Sequence, residues 1–95
     1  MQAPLYRLVE GPEWLESLEA TDPGDERFSD NLEALKLALG YGPWKYSRPL
    51  LEEHDALRIA TTKDPAAGYR LVIGVRIEPP NVILGWIELE LLEEE

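Results

Sequence analysis

The sequence predicts an α+β fold: a mostly antiparallel four-stranded sheet, in the chain order β-α-α-β-β-β, with two helices packed on one face. Three observations predict it. Residues 56–90 read as a three-stranded meander with two turns, residues 12–20 and 28–40 carry apolar residues at helical spacing, and residues 1–10 include an alternating stretch. With 95 residues, the chain is expected to form one domain, 1–95, around a single core.

The first strand, within residues 1–10, ends at Gly11-Pro12. Pro12 suits the first turn of a helix, where a missing amide proton costs nothing, so a helix is predicted over 12–20. Its apolar residues Trp14, Leu15 and Leu18 share one face. Residues 21–25 are then expected to form a turn, because they combine proline, glycine and aspartate.

The second helix is predicted over residues 28–40. Asp30 with Glu33 three residues later is typical of a capping box, and Ser29 is a competing cap. An apolar stripe indicates the buried face and consists of Phe28, Leu32, Leu35 and Leu39. Gly40 and the following Gly42-Pro43 should end the helix.

The meander carries the most informative charges. In its middle strand Arg70 and Arg76 alternate with apolar residues and should share one face, and the pairing register is expected to bring Arg58 beside them. In the last strand Trp86 is expected to be buried by a helix or another subunit. That strand is predicted to form an exposed edge that pairs in a homodimer, followed by an acidic tail over 91–95.

Before the meander, an irregular segment combines aromatic and basic residues. Trp44, Lys45, Tyr46 and Arg48 are the types that stack bases and neutralise phosphate in single-stranded nucleic-acid sites. The favoured alternative is that the two aromatic rings close the end of the core while the cations point to water. The segment is therefore a candidate anion or RNA site that the pattern alone does not establish.

Composition limits the function classes. The formal charge of −10 disfavours non-specific binding to nucleic acid or anionic membranes, although residues 36–76 carry seven basic and four acidic groups. Without cysteine there is no disulfide or thiolate site, and the protein is expected to be soluble and cytoplasmic, with no membrane span, cofactor or metal. His54, beside two carboxylates, is a candidate general acid, but an exposed loop histidine is the favoured interpretation. No catalytic residue is assigned.

The order of strand, two helices and meander resembles the RelE/ParE toxin superfamily over nearly the full length. The residues that carry the resemblance are 6–15 (YRLVEGPEWL), Arg48-Pro49-Leu50, Leu57-Arg58-Ile59, 68–73 (GYRLVI) and 82–86 (VILGW). The resemblance implies that Arg48, Arg58 and Arg70 contact the RNA backbone. Members usually finish with basic and aromatic residues that complete the active site, whereas this chain finishes with acidic and leucine residues over 88–95.

Three hypotheses follow. The leading one is a toxin-system relative that acts by binding a protein, with weak or no ribonuclease activity. The second is an active mRNA-cleaving toxin that uses Arg48, Arg58 and Arg70. The third is an acidic inhibitor of a basic partner protein.

Overall fold

The computed structural model describes residues 5–92, which form two helices and a five-stranded sheet. The predicted α+β class, with both helices on one face of the sheet, is confirmed. In chain order the elements are β1 (Arg7–Glu10), α1 (Trp14–Thr21), α2 (Glu26–Tyr41), β2 (Arg48–Leu51), β3 (His54–Asp64), β4 (Tyr69–Glu78) and β5 (Asn81–Leu91).

The strands lie in the order β1-β5-β4-β3-β2. Strands β3, β4 and β5 form the predicted antiparallel meander, and β1 pairs with β5 in parallel, with Arg7 opposite Asn81. The first strand therefore lies beside the meander. Because β1 is only four residues long, it covers only the first part of the β5 edge, from Asn81 to Leu84.

The sheet has one strand more than predicted. Residues assigned to an irregular segment form β2, which pairs with β3 by placing Arg48 opposite Ile59 and Pro49 opposite Arg58. A four-residue strand that contains proline has too weak a pattern to be recognised from sequence. Its position at the sheet edge is the one that tolerates proline, because an edge strand has backbone groups with no ladder partner.

Helix α2 begins earlier than predicted. Its N-cap is Asp25, whose carboxylate accepts a hydrogen bond of 2.7 Å from the N–H of Phe28. The predicted capping by Asp30 with Glu33 is wrong, because both residues lie inside the helix. The helix ends at Tyr41, where the N–H of Gly42 bonds to the carbonyl of Ala38 at 2.9 Å.

One hydrophobic core lies between the helices and the sheet. The whole predicted stripe of α2 is buried there, together with Trp14 of α1. The sheet contributes residues of β3, β4 and β5, namely Ala60, Tyr69, Leu71, Ile73, Val75, Val82, Leu84 and Ile87. The inward-facing residues of β5 change parity between Leu84 and Ile87, since a β-bulge at this point inserts Gly85 into the strand.

The sheet therefore has two unlike faces. The helix face carries the core residues, whereas the opposite face, called here the open face, has no helix packed on it in the described part of the chain.

The predicted acidic tail over 91–95 begins later than expected, because Leu91 belongs to β5 and the N–H of Leu92 donates to the carbonyl of Gly68 at 2.8 Å. Residues 1–4 of the predicted first strand and 93–95 of the tail lie outside the described residues.

Candidate functional site

Cross-strand pairing arranges the side chains of the open face in rows, because directly opposed residues point to the same side of a sheet. Arg70 and Arg76 both lie on this face, which confirms that they share it. The rows are Lys63–Arg70–Glu90, Thr61–Val72–Glu88, Arg48–Ile59–Gly74–Trp86 and Leu57–Arg76–Ile83. The open face is thus charged at one end and apolar with isolated arginines at the other.

A groove of about 330 Å³ lies at the apolar end of the open face. Its residues come from the β1–α1 connection, β2 and the three long strands. They include Gly11, Pro12, Glu13, Leu50, Leu57, Gly74, Arg76, Ile83 and Trp86. The groove therefore combines an apolar surface with one carboxylate, Glu13, and two cations, the exposed Arg76 and the buried Arg58. Such a mixture suits a ligand that has both an apolar part and an anionic group.

The floor of the groove depends on Gly74. A methyl group built at this position would overlap the indole ring of Trp86, so the absence of a side chain lets the ring pack directly against Gly74 of β4. The prediction that a helix buries Trp86 is wrong, because the side chain is half-buried on the face opposite the helices. Burial by another subunit stays a prediction. Sequence reasoning missed this arrangement because the bulge at Gly85 determines which face Trp86 occupies.

Arg76 is the exposed cation of the groove. It is exposed, it lies between Leu57 and Ile83 in its row, and it forms no ion pair with any of residues 5–92. The alternation of β4 indicated its face, but the resemblance that nominated the other arginines did not include it. Arg76 is therefore a cation that can meet an anion without first breaking an internal contact.

Arg58 lies elsewhere. The predicted register is wrong, because Arg58 is opposite Val75 and points to the helix side of the sheet, away from Arg70 and Arg76. Its side chain is 8% exposed. All five N–H donors are used within the protein: Nε donates to Ser47 Oγ at 2.7 Å, one terminal nitrogen to the carbonyl and carboxylate of Asp55, and the other to the carbonyls of Trp44 and Ser47.

The indole of Trp44 adds a cation–π contact, with its ring centre 5.1 Å from Arg58 Cζ. Arg58 therefore fastens the segment between α2 and β2 to the start of β3. Although Arg58 borders the groove, an RNA phosphate could be bound by its guanidinium only by displacing these contacts. The RNA-binding role of Arg58 stays a prediction that this geometry disfavours.

Arg70 is on the open face, but it is paired. Its Nη2 lies 2.7 Å from a carboxylate oxygen of Glu90, and its Nε donates to the same oxygen at 3.1 Å. Both side chains are about half exposed, so the pair contributes little to stability. Its main effect is to neutralise the charge that the resemblance assigns to phosphate binding.

The predicted aromatic and basic segment is only partly brought together. Lys45, Tyr46 and Arg48 border a second groove of about 240 Å³ with Ser47, Ile59 and Thr61. The Lys45 ammonium lies 5.4 Å from the centre of the Tyr46 ring. Trp44 instead covers Arg58 and is 41% exposed. The site assignments for these residues stay predictions.

Groups suited to proton transfer are sparse near the groove. His54 is exposed at the start of β3 and does not line the groove. Asp64 lies at the far end of β3, where the pKa of its carboxyl group is lowered by the hydrogen bond from Asn31, against an opposing effect of burial, and further lowered by the Ala67 N–H and by Arg27. Within residues 5–92 no cluster of three or more His, Asp or Glu side chains is arranged to hold a metal ion.

Comparison with solved structures finds a similar fold. The chain superposes on the isolated RelE toxin of E. coli with a TM-score of 0.54 and 18% sequence identity, over 95% of this chain and 87% of that one. No protein-family model matches the sequence, and the curated proteins searched give no match either. The superposition shows that the protein has a RelE-like fold.

In the described part of the chain, neither helix has the length and apolar character needed to cross a membrane.

Proposed function

We propose that the protein is a relative of the RelE-type toxins that acts by binding a partner protein and has weak or no ribonuclease activity. The observation that carries this proposal is the internal use of two of the three arginines that the resemblance assigns to RNA. Arg58 gives all its donors to the chain, and Arg70 is paired with Glu90. The RelE-like fold supplies the scaffold, and the acidic balance of the chain is a poor match for RNA.

Cleavage of a phosphodiester needs preorganised cations around the charge that develops in the transition state. On the open face the exposed arginines that have no ion pair within residues 5–92 and border the grooves are Arg48 and Arg76. They lie two strands apart and in neighbouring rows, which separates their Cα atoms by roughly 10–12 Å. Of the three arginines that the resemblance assigns to phosphate binding, Arg48 alone belongs to this pair, because Arg58 and Arg70 are engaged in contacts within the protein.

A second candidate, the active mRNA-cleaving toxin, is favoured by one observation: the groove offers an indole surface next to an unpaired arginine. This arrangement can stack a base and contact a phosphate. In this version of the hypothesis Arg76 takes the place that Arg58 had in the sequence prediction, and Arg48 keeps its role.

The test is expression in bacteria from a tightly repressed promoter, with growth and the integrity of cellular mRNA as readouts. We expect growth and mRNA to match those of cells that carry an empty vector. Growth arrest with mRNA cleavage, relieved by Arg76→Ala or Arg48→Ala but not by the α2 control Lys36→Ala, would establish the toxin instead. Arg58→Ala is not a suitable probe, because its loss would loosen the fold.

The predicted homodimer through the C-terminal strand stays a prediction. Pairing two β5 edges would bring Glu88 and Glu90 of one copy close to those of the other, in a chain whose formal charge is −10. Light scattering at low and high salt tests this. A dimer that forms only at high salt would reflect screening of the repulsion between the two copies.

A further inference from the structure

The outer edge of β5 is covered along only part of its length. β1 pairs with the edge as far as Leu84, and two hydroxyls of α1 cover the next outward position. The N–H of Ile87 donates to Ser17 Oγ at 2.9 Å, and its carbonyl accepts from Ser17 Oγ and Thr21 Oγ1, each at 3.1 Å. Side chains of α1 thus take the place of a neighbouring strand at Ile87.

Beyond Ile87 the edge is open. Backbone groups alternate along a strand, and the bond from the Leu92 N–H to Gly68 shows that the even-numbered residues at this end point toward β4. The N–H and carbonyl groups of Leu89 and Leu91 therefore point outward, as those of Ile87 do. None of residues 5–92 hydrogen-bonds to these outward groups. Leu91 is 80% exposed.

We propose that this edge, residues 88–91 of β5, binds an extended segment of a partner protein as an added strand, and that the segment alternates basic and apolar residues. Leu89 and Leu91 point to the helix face, whereas Glu88 and Glu90 point to the open face. Opposed residues of paired strands share a face, so the partner's apolar side chains would lie against the leucines. Its basic side chains would lie against Glu88, which forms no ion pair within residues 5–92, and beside Glu90, which is paired with Arg70.

The charges around residues 88–91 of β5 indicate which kind of strand binds there. Helix α1, which runs beside this edge, carries Glu16 and Glu19 on its exposed side and has no basic residue. Glu88 on the open face and the two glutamates of α1 thus leave an acidic balance around the edge, although Glu90 is neutralised by Arg70. This balance attracts a cationic strand and repels a second copy of this chain. This inference rests on the proposed function in one respect, because it supplies the surface and the partner chemistry for action through a protein.

The test uses the full chain and the peptide acetyl-Lys-Val-Lys-Val-Lys-Val-amide, observed by two-dimensional NMR titration. We expect shifts and slowed amide exchange at Leu89 and Leu91, and binding that weakens as sodium chloride is raised from about 0.05 M to about 0.5 M. The peptide in which Glu replaces Lys should not bind. Leu91→Pro, which removes one outward N–H at an exposed edge position, should weaken binding about tenfold or more, whereas Leu91→Thr, which keeps it, should not.

The proposal is overturned if the lysine peptide fails to bind at about millimolar concentration, or if Leu91→Pro and Leu91→Thr bind it equally. Shifts confined to β1 or β2 overturn it as well, because they place the added strand at another edge. So does a dimer of the free chain that Leu91→Pro dissociates, since a second copy then occupies the site. These results are independent of the growth assay, so failure of the proposed function and failure of this inference can be told apart.

Discussion

Arg58 shows how a residue of the type used for RNA binding can serve the fold. Its guanidinium is buried beneath Trp44, and the neighbouring carboxylate of Asp55 is 74% exposed. Most of its partners are neutral: two backbone carbonyls of the segment before β2, the carbonyl of Asp55 and the hydroxyl of Ser47. A planar group with five donors satisfies all of them at once, which a lysine ammonium with three donors does not do.

We therefore predict that Arg58→Ala lowers the free energy of unfolding by about 2–3 kcal/mol, since several carbonyls lose their donor together. Arg58→Lys should recover only part of this loss. The exposed control Arg48→Ala should stay within about 0.5 kcal/mol of the wild type. Urea denaturation followed by tryptophan fluorescence measures all three. An Arg58→Ala variant as stable as the wild type would contradict this structural role and make Arg58 a candidate for ligand binding again.

Among the elements, the short helix α1 has two structural roles. Trp14 anchors it in the core, while Ser17 and Thr21 satisfy the backbone of Ile87 at the edge of β5. Periodicity predicted a shared apolar face of Trp14, Leu15 and Leu18, of which Trp14 and Leu18 pack in the core whereas Leu15 is 58% exposed. Nothing in the sequence indicated that the hydroxyls of this helix would bond to a strand 70 residues away. Such contacts depend on the sheet order, which local patterns do not contain.

Ser17→Ala should destabilise the protein by about 1 kcal/mol, because the Ile87 N–H loses its only acceptor among the described residues while Thr21 still serves the carbonyl. Glu16→Ala, one position earlier and exposed, is the matched control. Hydrogen exchange at Ile87 gives a local readout and should accelerate only in the serine variant. Unchanged exchange at this amide would contradict the role given to Ser17.

Helix α2 is linked to the β3–β4 turn through Asp64, which accepts hydrogen bonds from Asn31 at 2.9 Å and from Arg27 and the Ala67 N–H. These donors hold the pKa of the Asp64 carboxyl below its ordinary value of 3.8. The unfolded chain then binds the proton more readily than the folded one, so this stabilisation is present above about pH 3.8 and is lost as the pH falls through the folded value.

The stability difference between the wild type and Asp64→Asn should accordingly be largest near neutral pH and shrink in acid. Urea midpoints at several pH values test this, with the exposed Asp30→Asn as the control whose difference should change little. A difference that does not vary with pH would show that packing, not ionisation, is responsible for the effect of the substitution.

At the scale of the whole molecule, the sequence patterns predicted the class of fold but not the placement of its charges. The alternation in β4 and the stripe of α2 are properties of single elements, and both predictions were confirmed. The separation of Arg58 from Arg70 and Arg76 depends on the register of β3 against β4. The position of Trp86 depends on a bulge in β5. Register and bulges are decided by contacts between elements, so one element's pattern cannot reveal them.

The parallel pairing of β1 with β5 also has a consequence during synthesis. Strand β1 is made before β5 and can pair with it only after β5 has left the ribosome, and the hydrogen bonds from Ser17 and Thr21 to Ile87 form only then as well. Until then the nascent chain can pair β2, β3 and β4, but Trp14 does not yet have all of the neighbours that bury it in the folded protein. Closure across so long a loop favours slow, late consolidation, during which this amino-terminal segment is most accessible to chaperones.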